Sequence, residues 1–269
     1  MKIGIIAGSG HFPLLIAEQN KNAFVLCIDD HSNSQNFKNK SINVSLLNPD
    51  MWIEILKNEN VTHLVFAGKI NRPKMINERL NENAKALISQ ISILGDNSAI
   101  NIIEKFFKKF GFEILPIQSL VNNCFFSKGF HLETNISIKF MEYIKKSTNL
   151  GVNLLNVLSK FDFGQSVVVS ADLVYAIEGP EGTDSMVDRA GLLSLNNLNL
   201  HDYGPILIKI PKVNQNKAID LPVIGVETVK KCLKSGFSSI VVSSEGTLIM
   251  DYNEVIKYIK QKQFCIYSI

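Results

Sequence analysis

The feature that most constrains the fold is an alternation of short apolar runs and helical patterns along the first half of the chain. Three apolar runs have the length of buried strands: Ile3–Ala7, Phe24–Ile28 and His63–Ala67. A helical pattern follows the first run, and Asn48 and Pro49 can begin another before the third. Because the runs are apolar almost throughout, we expect helices on both faces of the sheet. This β-α-β-α-β order predicts a Rossmann-like domain with a parallel sheet.

A weakly patterned segment follows, and it predicts where that domain ends. A helix beginning after Asp96 and a strand at 112–117 precede residues 118–133, where Asn, Ser and Gly replace the regular pattern. We therefore predict a linker there and two domains, residues 1–132 and 133–269.

The second half predicts another α/β domain, with a mixed sheet. Two strands turn sharply at Ala171, and a turn-forming run at 179–182 leads into a helix. We expect the remaining elements to be helices at 136–159, 226–234 and 252–262, strands at 206–210 and 264–267, and a hairpin around Glu245-Gly246.

Composition excludes several functional classes. The 28 Lys and Arg residues exceed the 25 Asp and Glu residues by only three, which argues against a nucleic-acid-binding protein. No apolar run approaches the roughly 20 residues of a spanning helix, so we expect a cytoplasmic protein. The four cysteines, Cys27, Cys124, Cys232 and Cys265, form no C-x-x-C pair, which favours buried free thiols.

Gly8-Ser9-Gly10 lies between the first strand and the first helix, where backbone N–H groups can bind a phosphate. The dinucleotide fingerprint is incomplete, because Pro13 occupies the position of its third glycine. Asp29 or Asp30 after the second strand is a loose match for a ribose-binding acid. The alternative is that the glycines serve only a tight turn and Pro13 only the first turn of the helix.

A second candidate anion site follows the third strand. Gly68, Lys69 and Arg72 come after the carboxyl end of that strand, where open α/β sheets bind ligands. The two cations suit a phosphate or a carboxylate, and a solvated basic loop is the alternative.

Carboxylates and cations recur in the second half. The run from Glu178 to Asp184 includes Glu181 and Thr183 and suits Mg²⁺ or Mn²⁺, with helix capping as the alternative. Lys209 and Lys212 precede Asp220, which could bind a metal or act as a general base, or bond its own backbone in a turn. The five histidines lack zinc-binding spacing.

Together these segments resemble the LpxI-type UDP-2,3-diacylglucosamine pyrophosphatases, a bacterial lipid A family. The resemblance covers nearly the whole chain, and several motifs carry it in order: G-S-G with Pro13, F-A-G-K-I-N-R-P at 66–73, Gly95-Asp96, D-F-G-Q at 162–165, E-G-T-D at 181–184, K-I-P-K at 209–212 and D-L-P-V-I-G at 220–225.

The resemblance implies a two-domain hydrolase that binds the lipid product between its domains. The reaction would convert UDP-2,3-diacylglucosamine into UMP and 2,3-diacylglucosamine 1-phosphate (lipid X), with a divalent cation, usually Mg²⁺. It also implies peripheral association with the cytoplasmic face of the inner membrane. A homodimer of this chain is an assembly compatible with this expectation.

The resemblance ties catalysis most closely to Asp220, and we hypothesise that Asp220, with Asp184 or Glu181, binds the metal or activates water. The residues that we expect to contact substrate are Gly8, Ser9, Gly10, Gly68, Arg72, Gln165, Thr183, Lys209 and Lys212. Phe125, Phe126 and the leucines at 192–200 are candidates to line an acyl groove. The alternatives are an NAD-dependent oxidoreductase and a non-catalytic nucleotide-sugar or lipid-binding module.

Overall fold

The apolar runs of the first half pair into one five-stranded parallel sheet. The computed structural model describes residues 1–70, 96–132, 136–161, 163–195, 203–213, 215 and 221–269, without the side chains of residues 96–100 and 195. These residues divide into two compact units, one ending at Asn122 and the other beginning at Asn123.

The first unit has the predicted Rossmann-like organisation. Its elements are β1 (Ile3–Ala7), α1 (Phe12–Gln19), β2 (Phe24–Ile28), β3 (Ser41–Val44), α2 (Pro49–Asn58), β4 (His63–Ala67), α3 (Asp96–Lys109) and β5 (Glu113–Ile114). The strand order is β3-β2-β1-β4-β5, and every neighbouring pair is parallel. The direction of the crossovers therefore reverses between β1 and β4, the switch point at which ligands bind in open α/β sheets.

Helices cover the sheet of the first unit. Trp52 and Leu56 of α2 and Phe107 of α3 pack with Ile6 and Leu26 in one apolar core. Helix α1 packs against β1 and β4, and right-handed crossovers place it on the opposite face. The predicted strand at 112–117 is shorter than expected.

The second unit is the predicted mixed α/β domain. Its elements are β6 (Gly129–His131), α4 (Ile138–Leu158), β7 (Ser166–Ser170), β8 (Leu173–Ile177), α5 (Gly182–Leu195), β9 (Ile206–Lys209), β10 (Val223–Ile224), α6 (Val226–Lys234), β11 (Ser239–Val242), β12 (Leu248–Ile249), α7 (Tyr252–Lys262) and β13 (Cys265–Ser268). The main sheet runs β6-β13-β11-β9-β7-β8, with β9, β11 and β13 parallel and the outer strands antiparallel to their neighbours.

The two faces of this sheet carry different helices. Val168 belongs to the core formed with α5, α6 and α7, whereas Val167 and Val169 belong to the core formed with α4. This alternation follows the two-residue period of a strand. At Gly151 of α4, a Cβ would lie 2.3 Å from Ile208 Cδ1, so glycine allows the helix to approach the sheet closely.

Two local predictions need correction. The hairpin around Glu245-Gly246 is wrong, because β11 pairs with β9 and β13 while β12 pairs with β10. The segment predicted as a linker contains β6, which pairs antiparallel with β13. The division at Asn122 therefore lies before the predicted boundary at residue 132.

All four cysteines are buried free thiols, as predicted. Burial raises the pKa of Cys265 to about 11, against the smaller opposing effect of a hydrogen bond with Ser239. Within the described part of the chain, no helix has the length and apolar character needed to cross a bilayer. The longest described helix, α4, carries three lysines and a glutamate.

Candidate functional site

The turn after β1 is joined to the loop after β4 by backbone hydrogen bonds. The N–H of Ser9 donates to the carbonyl oxygen of Lys69 at 2.8 Å, and the N–H of Lys69 donates to that of Ser9 at 3.0 Å. The Ser9 hydroxyl also donates to the Lys69 carbonyl oxygen. The structure thus brings together Gly8, Ser9 and Gly68 at the switch point. Because the Ser9 N–H is already used, an anion here would have to rely on other donors near the start of α1.

Two glycines make this bridge sterically feasible. A Cβ on Gly8 would lie 2.7 Å from the carbonyl oxygen of Lys69, and one on Gly68 would lie 2.5 Å from that of Ser9. Gly68 also has φ +84°, which favours glycine. Gly10 has φ +99°, but a Cβ there would meet no atom within 4 Å. The tight-turn interpretation therefore accounts for Gly8 and Gly68, and phosphate binding by the turn stays a prediction.

In the second unit, strand pairing gathers polar residues at one edge of the main sheet. Ser166 at the start of β7 pairs with Lys209 at the end of β9. Glu178, just after β8, donates its backbone N–H to the Ser166 carbonyl oxygen at 3.0 Å. Helix α5 begins nearby, with Thr183 in its first turn. We call this group, with its neighbours Gln165 and Gln215, the Glu178 cluster.

Thr183 links a buried cation to a buried carboxylate within the Glu178 cluster. Lys209 Nζ donates to Thr183 Oγ1 at 2.8 Å, and Thr183 Oγ1 donates to Glu178 Oε1 at 2.6 Å. The side chains of Glu178 and Lys209 belong to residues only 9% exposed. Since a hydroxyl has one proton, Thr183 accepts from the lysine and donates to the carboxylate. The opposite charges therefore compensate each other through one hydroxyl group.

Both oxygens of the Glu178 carboxylate are engaged. The second oxygen, Oε2, accepts the backbone N–H of Gln165 at 3.0 Å. At Gly164, a Cβ would lie 2.3 Å from the Glu178 carbonyl oxygen, so only glycine allows the chain to pass this closely. The approach of residues 164–165 thus fixes the position of the carboxylate.

Gln215 connects the segment after β9 to the same cluster. Its Nε2 donates to Gln165 Oε1 at 3.1 Å, and its Oε1 accepts the backbone N–H of Lys212 at 2.9 Å. Thr247 fixes the end of β9 by donating its hydroxyl to the Lys209 carbonyl oxygen at 2.8 Å. The structure therefore brings the predicted residues Gln165, Thr183 and Lys209 together, and places the backbone of Lys212 beside them.

The predicted metal ligand Glu181 lies outside this cluster. Its Oε1 forms an ion pair with Arg189 Nη2 at 2.8 Å. Hydrogen bonding from its own backbone N–H and from the Arg189 guanidinium lowers the pKa of the Glu181 carboxyl. The Glu181 carboxylate is thus held by Arg189 and by backbone N–H groups at the residue that precedes α5, whereas the helix-capping alternative named Thr183 or Asp184.

Asp184 faces helix α6. It lines a groove of about 650 Å³ whose other lining residues include Asp188, Lys230, Lys231 and Lys234. Hydrogen bonding to Asp188 raises the pKa of Lys231, and the negative charge of Asp184 contributes to that increase. Within the described residues, Asp184 makes no hydrogen bond to the Glu178 cluster. Its catalytic role stays a prediction.

The described acids do not form a complete metal cage. No group of three His, Cys, Asp or Glu side chains in the described ranges could hold a metal ion. A Mg²⁺ that takes one or two protein carboxylates and shares the phosphates of its substrate needs no such cage. Exposed Asp184 fits that requirement better than Glu178 or Glu181, whose oxygens are hydrogen-bonded. Asp220 and Arg72, the other predicted participants, lie outside the described residues, as do Gly95 and Asp162 of the sequence motifs.

Sequence reasoning gave no specific role to Glu178. The available signal was its position directly after an apolar strand. That signal did not single out Glu178, because Glu181 and Asp184 follow the same strand within a few residues. A second correction concerns Phe126, which is 1% exposed within the core of the second unit and lines no acyl groove. Leu192, by contrast, is 63% exposed.

The comparisons with known proteins cover both units. The family model of the LpxI N-terminal domain matches residues 2–124, and that of the LpxI C-terminal domain matches residues 136–267. A protein of Caulobacter vibrioides named UDP-2,3-diacylglucosamine pyrophosphatase LpxI is 27% identical over 266 residues, covering 95% of this chain and 92% of the relative. Two family models in the expected order, together with this relative, lead to one conclusion: the chain belongs to the LpxI family.

Proposed function

We propose that this chain hydrolyses the pyrophosphate bond of UDP-2,3-diacylglucosamine to UMP and 2,3-diacylglucosamine 1-phosphate (lipid X). The observation that carries the proposal is the buried Lys209–Thr183–Glu178 arrangement at the start of α5. Family membership and the name of the Caulobacter relative support the choice of substrate. The proposal thus joins a polar cluster suited to phosphate chemistry with a specific lipid precursor.

Lys209 supplies positive charge in this proposal. In the reaction, the oxygen of water bonds to one phosphorus while the bond from that phosphorus to the bridging oxygen breaks. The two products together take up the elements of water. Negative charge on the phosphate oxygens is the main obstacle, and a preorganised cation in a buried setting reduces it. Thr183 orients the Lys209 ammonium, and Glu178 orients Thr183.

Helix α5 adds to this effect. Thr183 lies in the first turn of a 14-residue helix, where backbone N–H groups and the helix dipole favour an anion. Gln165 and Gln215 hold the neighbouring segments together through a side-chain hydrogen bond of 3.1 Å. These contacts favour a fixed phosphate position over one that forms only when substrate binds.

A divalent cation such as Mg²⁺ completes the proposal. Asp184 and Asp220 would hold it, and when bound it would neutralise phosphate charge and lower the pKa of a bound water. The chain's own residues bind and orient the phosphates. We also propose that the enzyme works at the cytoplasmic membrane surface, because its diacylated substrate resides in a bilayer. Exposed Leu192 and Leu193 support a contact with that surface.

The test is release of UMP from UDP-2,3-diacylglucosamine by the full chain, with Mg²⁺ and with a chelator. We expect UMP only with the metal. Lys209→Met should lower kcat about 100-fold or more, since it removes a preorganised charge. Lys146→Met is the matched control, because Lys146 is an exposed lysine that pairs with Asp172 on the surface. Asp220→Asn and its control Asp172→Asn test the catalytic carboxylate.

Folding of each variant is checked by circular dichroism. Near-full UMP release by a folded Lys209→Met variant would contradict the role of the Glu178 cluster. Substrate binding without turnover at any metal concentration would instead establish a binding module.

A further inference from the structure

A polar cavity of about 490 Å³ lies beyond the carboxyl end of β2 in the first unit. Its lining residues, which define the β2 pocket, are Asp30, His31, Ser32, Asn33, Asn36 and Asn43. None of these six is apolar, and none is a lysine or an arginine. The β2 pocket therefore suits a neutral ligand rich in hydroxyl groups better than an acyl chain or a phosphate.

The wall of the β2 pocket is held by hydrogen bonds. Asn43 Nδ2 donates to Asp29 Oδ1 at 3.0 Å and to the Ser32 carbonyl oxygen at 3.1 Å. Asn43 Oδ1 accepts the backbone N–H of Ser34 at 2.9 Å. One asparagine of β3 thus fixes the loop that follows β2, which makes the pocket a preformed feature.

The β2 pocket adjoins the glycine turn. The Ser32 hydroxyl donates to the carbonyl oxygen of Ala7 at 2.6 Å, and Ala7 directly precedes Gly8. In Rossmann-like sheets the phosphates of a nucleotide lie at the first turn and the helix after it. An acid at the end of the second strand binds the ribose there. The β2 pocket therefore lies beside the glycine turn, at the position of the ribose subsite in Rossmann-like nucleotide sites.

Asp30 has the position that such an acid needs. Its backbone is left-handed, with φ 64°, a conformation that few residues other than glycine, Asn and Asp adopt readily. In the described ranges, no side chain donates a hydrogen bond to the exposed Asp30 carboxylate, whereas Asn43 occupies Asp29 Oδ1. Two acceptor oxygens on one carboxylate match the two neighbouring hydroxyls of a ribose.

We propose that the β2 pocket binds the ribose of a nucleotide, with Asp30 accepting hydrogen bonds from its 2′- and 3′-hydroxyls. This inference rests on the proposed function in one respect, which is that the nucleotide is the uridine half of the substrate. It assigns a specificity role to a loop that the hydrolytic proposal does not use.

The test measures binding of UMP and of 2′-deoxyuridine monophosphate to the full chain by isothermal titration calorimetry. Wild type should bind UMP about tenfold more tightly than the deoxy analogue, because the analogue leaves the carboxylate without one donor. Asp30→Asn should abolish most of that preference. The variant preserves the backbone, since Asn tolerates the left-handed conformation. Glu18→Gln, which removes an exposed carboxylate on α1, should retain the preference.

Assays of UMP release from UDP-2,3-diacylglucosamine by the same proteins separate the two proposals. If wild type releases UMP from the lipid substrate but Asp30→Asn keeps the full preference for UMP, the ribose proposal is overturned and the hydrolytic one stands. If wild type releases no UMP but its preference for UMP depends on Asp30, the ribose proposal stands alone. Absence of any UMP binding to wild type overturns the ribose proposal.

Discussion

The two units build the polar edge of their sheets in different ways. In the first unit, backbone hydrogen bonds between Ser9 and Lys69 join two loops at the switch point. In the second unit, side chains join at the sheet edge through Lys209, Thr183 and Glu178. Glycines that allow close backbone contact make the Ser9–Lys69 bridge possible, whereas strand register brings Lys209 near Thr183 and Glu178. A sequence reveals the glycine turn more directly, because its residues are neighbours in the chain.

The largest expected effect tests the second arrangement. Gly164→Ala should displace Glu178, because the new Cβ would lie 2.3 Å from the Glu178 carbonyl oxygen. We expect the free energy of unfolding to fall by about 3 kcal/mol and UMP release to be almost lost. Urea denaturation and the hydrolysis assay measure these effects. Gly225→Ala is the control, since its nearest contact would be an ordinary 3.4 Å; equal losses in both variants would refute the explanation.

The matched test in the first unit is Gly68→Ala. Its Cβ would lie 2.5 Å from the Ser9 carbonyl oxygen, and its φ of +84° adds backbone strain. The expected loss of unfolding free energy is about 2 kcal/mol. Gly10→Ala has the strain without the contact and should lose about 1 kcal/mol. If both variants are equally stable in denaturant titrations, the backbone bridge does not determine this turn.

A smaller effect is expected when only one hydroxyl of the Glu178 cluster is removed. Thr183→Val leaves a buried acceptor and a buried cation without their shared partner and should cost about 1–2 kcal/mol. Thr183→Ser retains the hydroxyl and should recover most of this stability. Thermal unfolding compares the two, and a valine variant as stable as the serine variant would contradict the proposed link.

The smallest expected effects are changes in the pKa of two carboxyls, one in each unit, that form ion pairs near the surface. Hydrogen bonds from its own backbone N–H and from Arg189 lower the pKa of Glu181. A hydrogen bond from Lys40 lowers the pKa of Glu59. A carboxyl whose pKa is lower in the folded state stabilises the protein at pH values above the unfolded-state pKa. This stabilisation disappears as the pH falls through the folded-state pKa. Arg189→Gln and Lys40→Gln should therefore raise the pKa of their partners, as measured by carboxyl NMR titration.

The backbone N–H contribution distinguishes these two carboxyls. Because the Glu181 backbone N–H is the largest cause of its lowered pKa, Arg189→Gln should return Glu181 only partway to its usual range. Lys40→Gln should return Glu59 further, since the Lys40 hydrogen bond is the largest cause there. The reverse order would contradict the assigned causes.

Local periodicity predicted most elements of the first unit correctly. The bounds of β1, α1, β2 and β4 agree with the apolar and helical patterns, and Asn48 caps α2 by accepting the Met51 N–H. These elements depend on residues close together in sequence. The β6 strand was missed because its three residues have no clear pattern and are stabilised by pairing with β13, which is far away in sequence.

The same distinction applies to the candidate site. Thr183 and Lys209 were predicted from residue type and position, and Gln165 from a motif of the family resemblance; the three do lie together. The hairpin at Glu245-Gly246 failed because a turn sequence does not decide which strands pair, and β12 pairs with β10 instead. Glu178 could not be distinguished from its acidic neighbours, because only the tertiary structure shows that Gln165 and Thr183 donate to Glu178 while Glu181 pairs with Arg189.

By itself, the sequence determined the α/β class, the parallel sheet of the first unit, the buried thiols and the motifs that place the chain in its family. Short-range periodicity and residue type are sufficient for these. Only the tertiary structure decided that Thr183 bridges Lys209 and Glu178, that Ser9 is bonded to Lys69, and that a polar pocket follows β2. Each of these contacts depends on strand register and loop approach between distant residues, which local patterns do not specify.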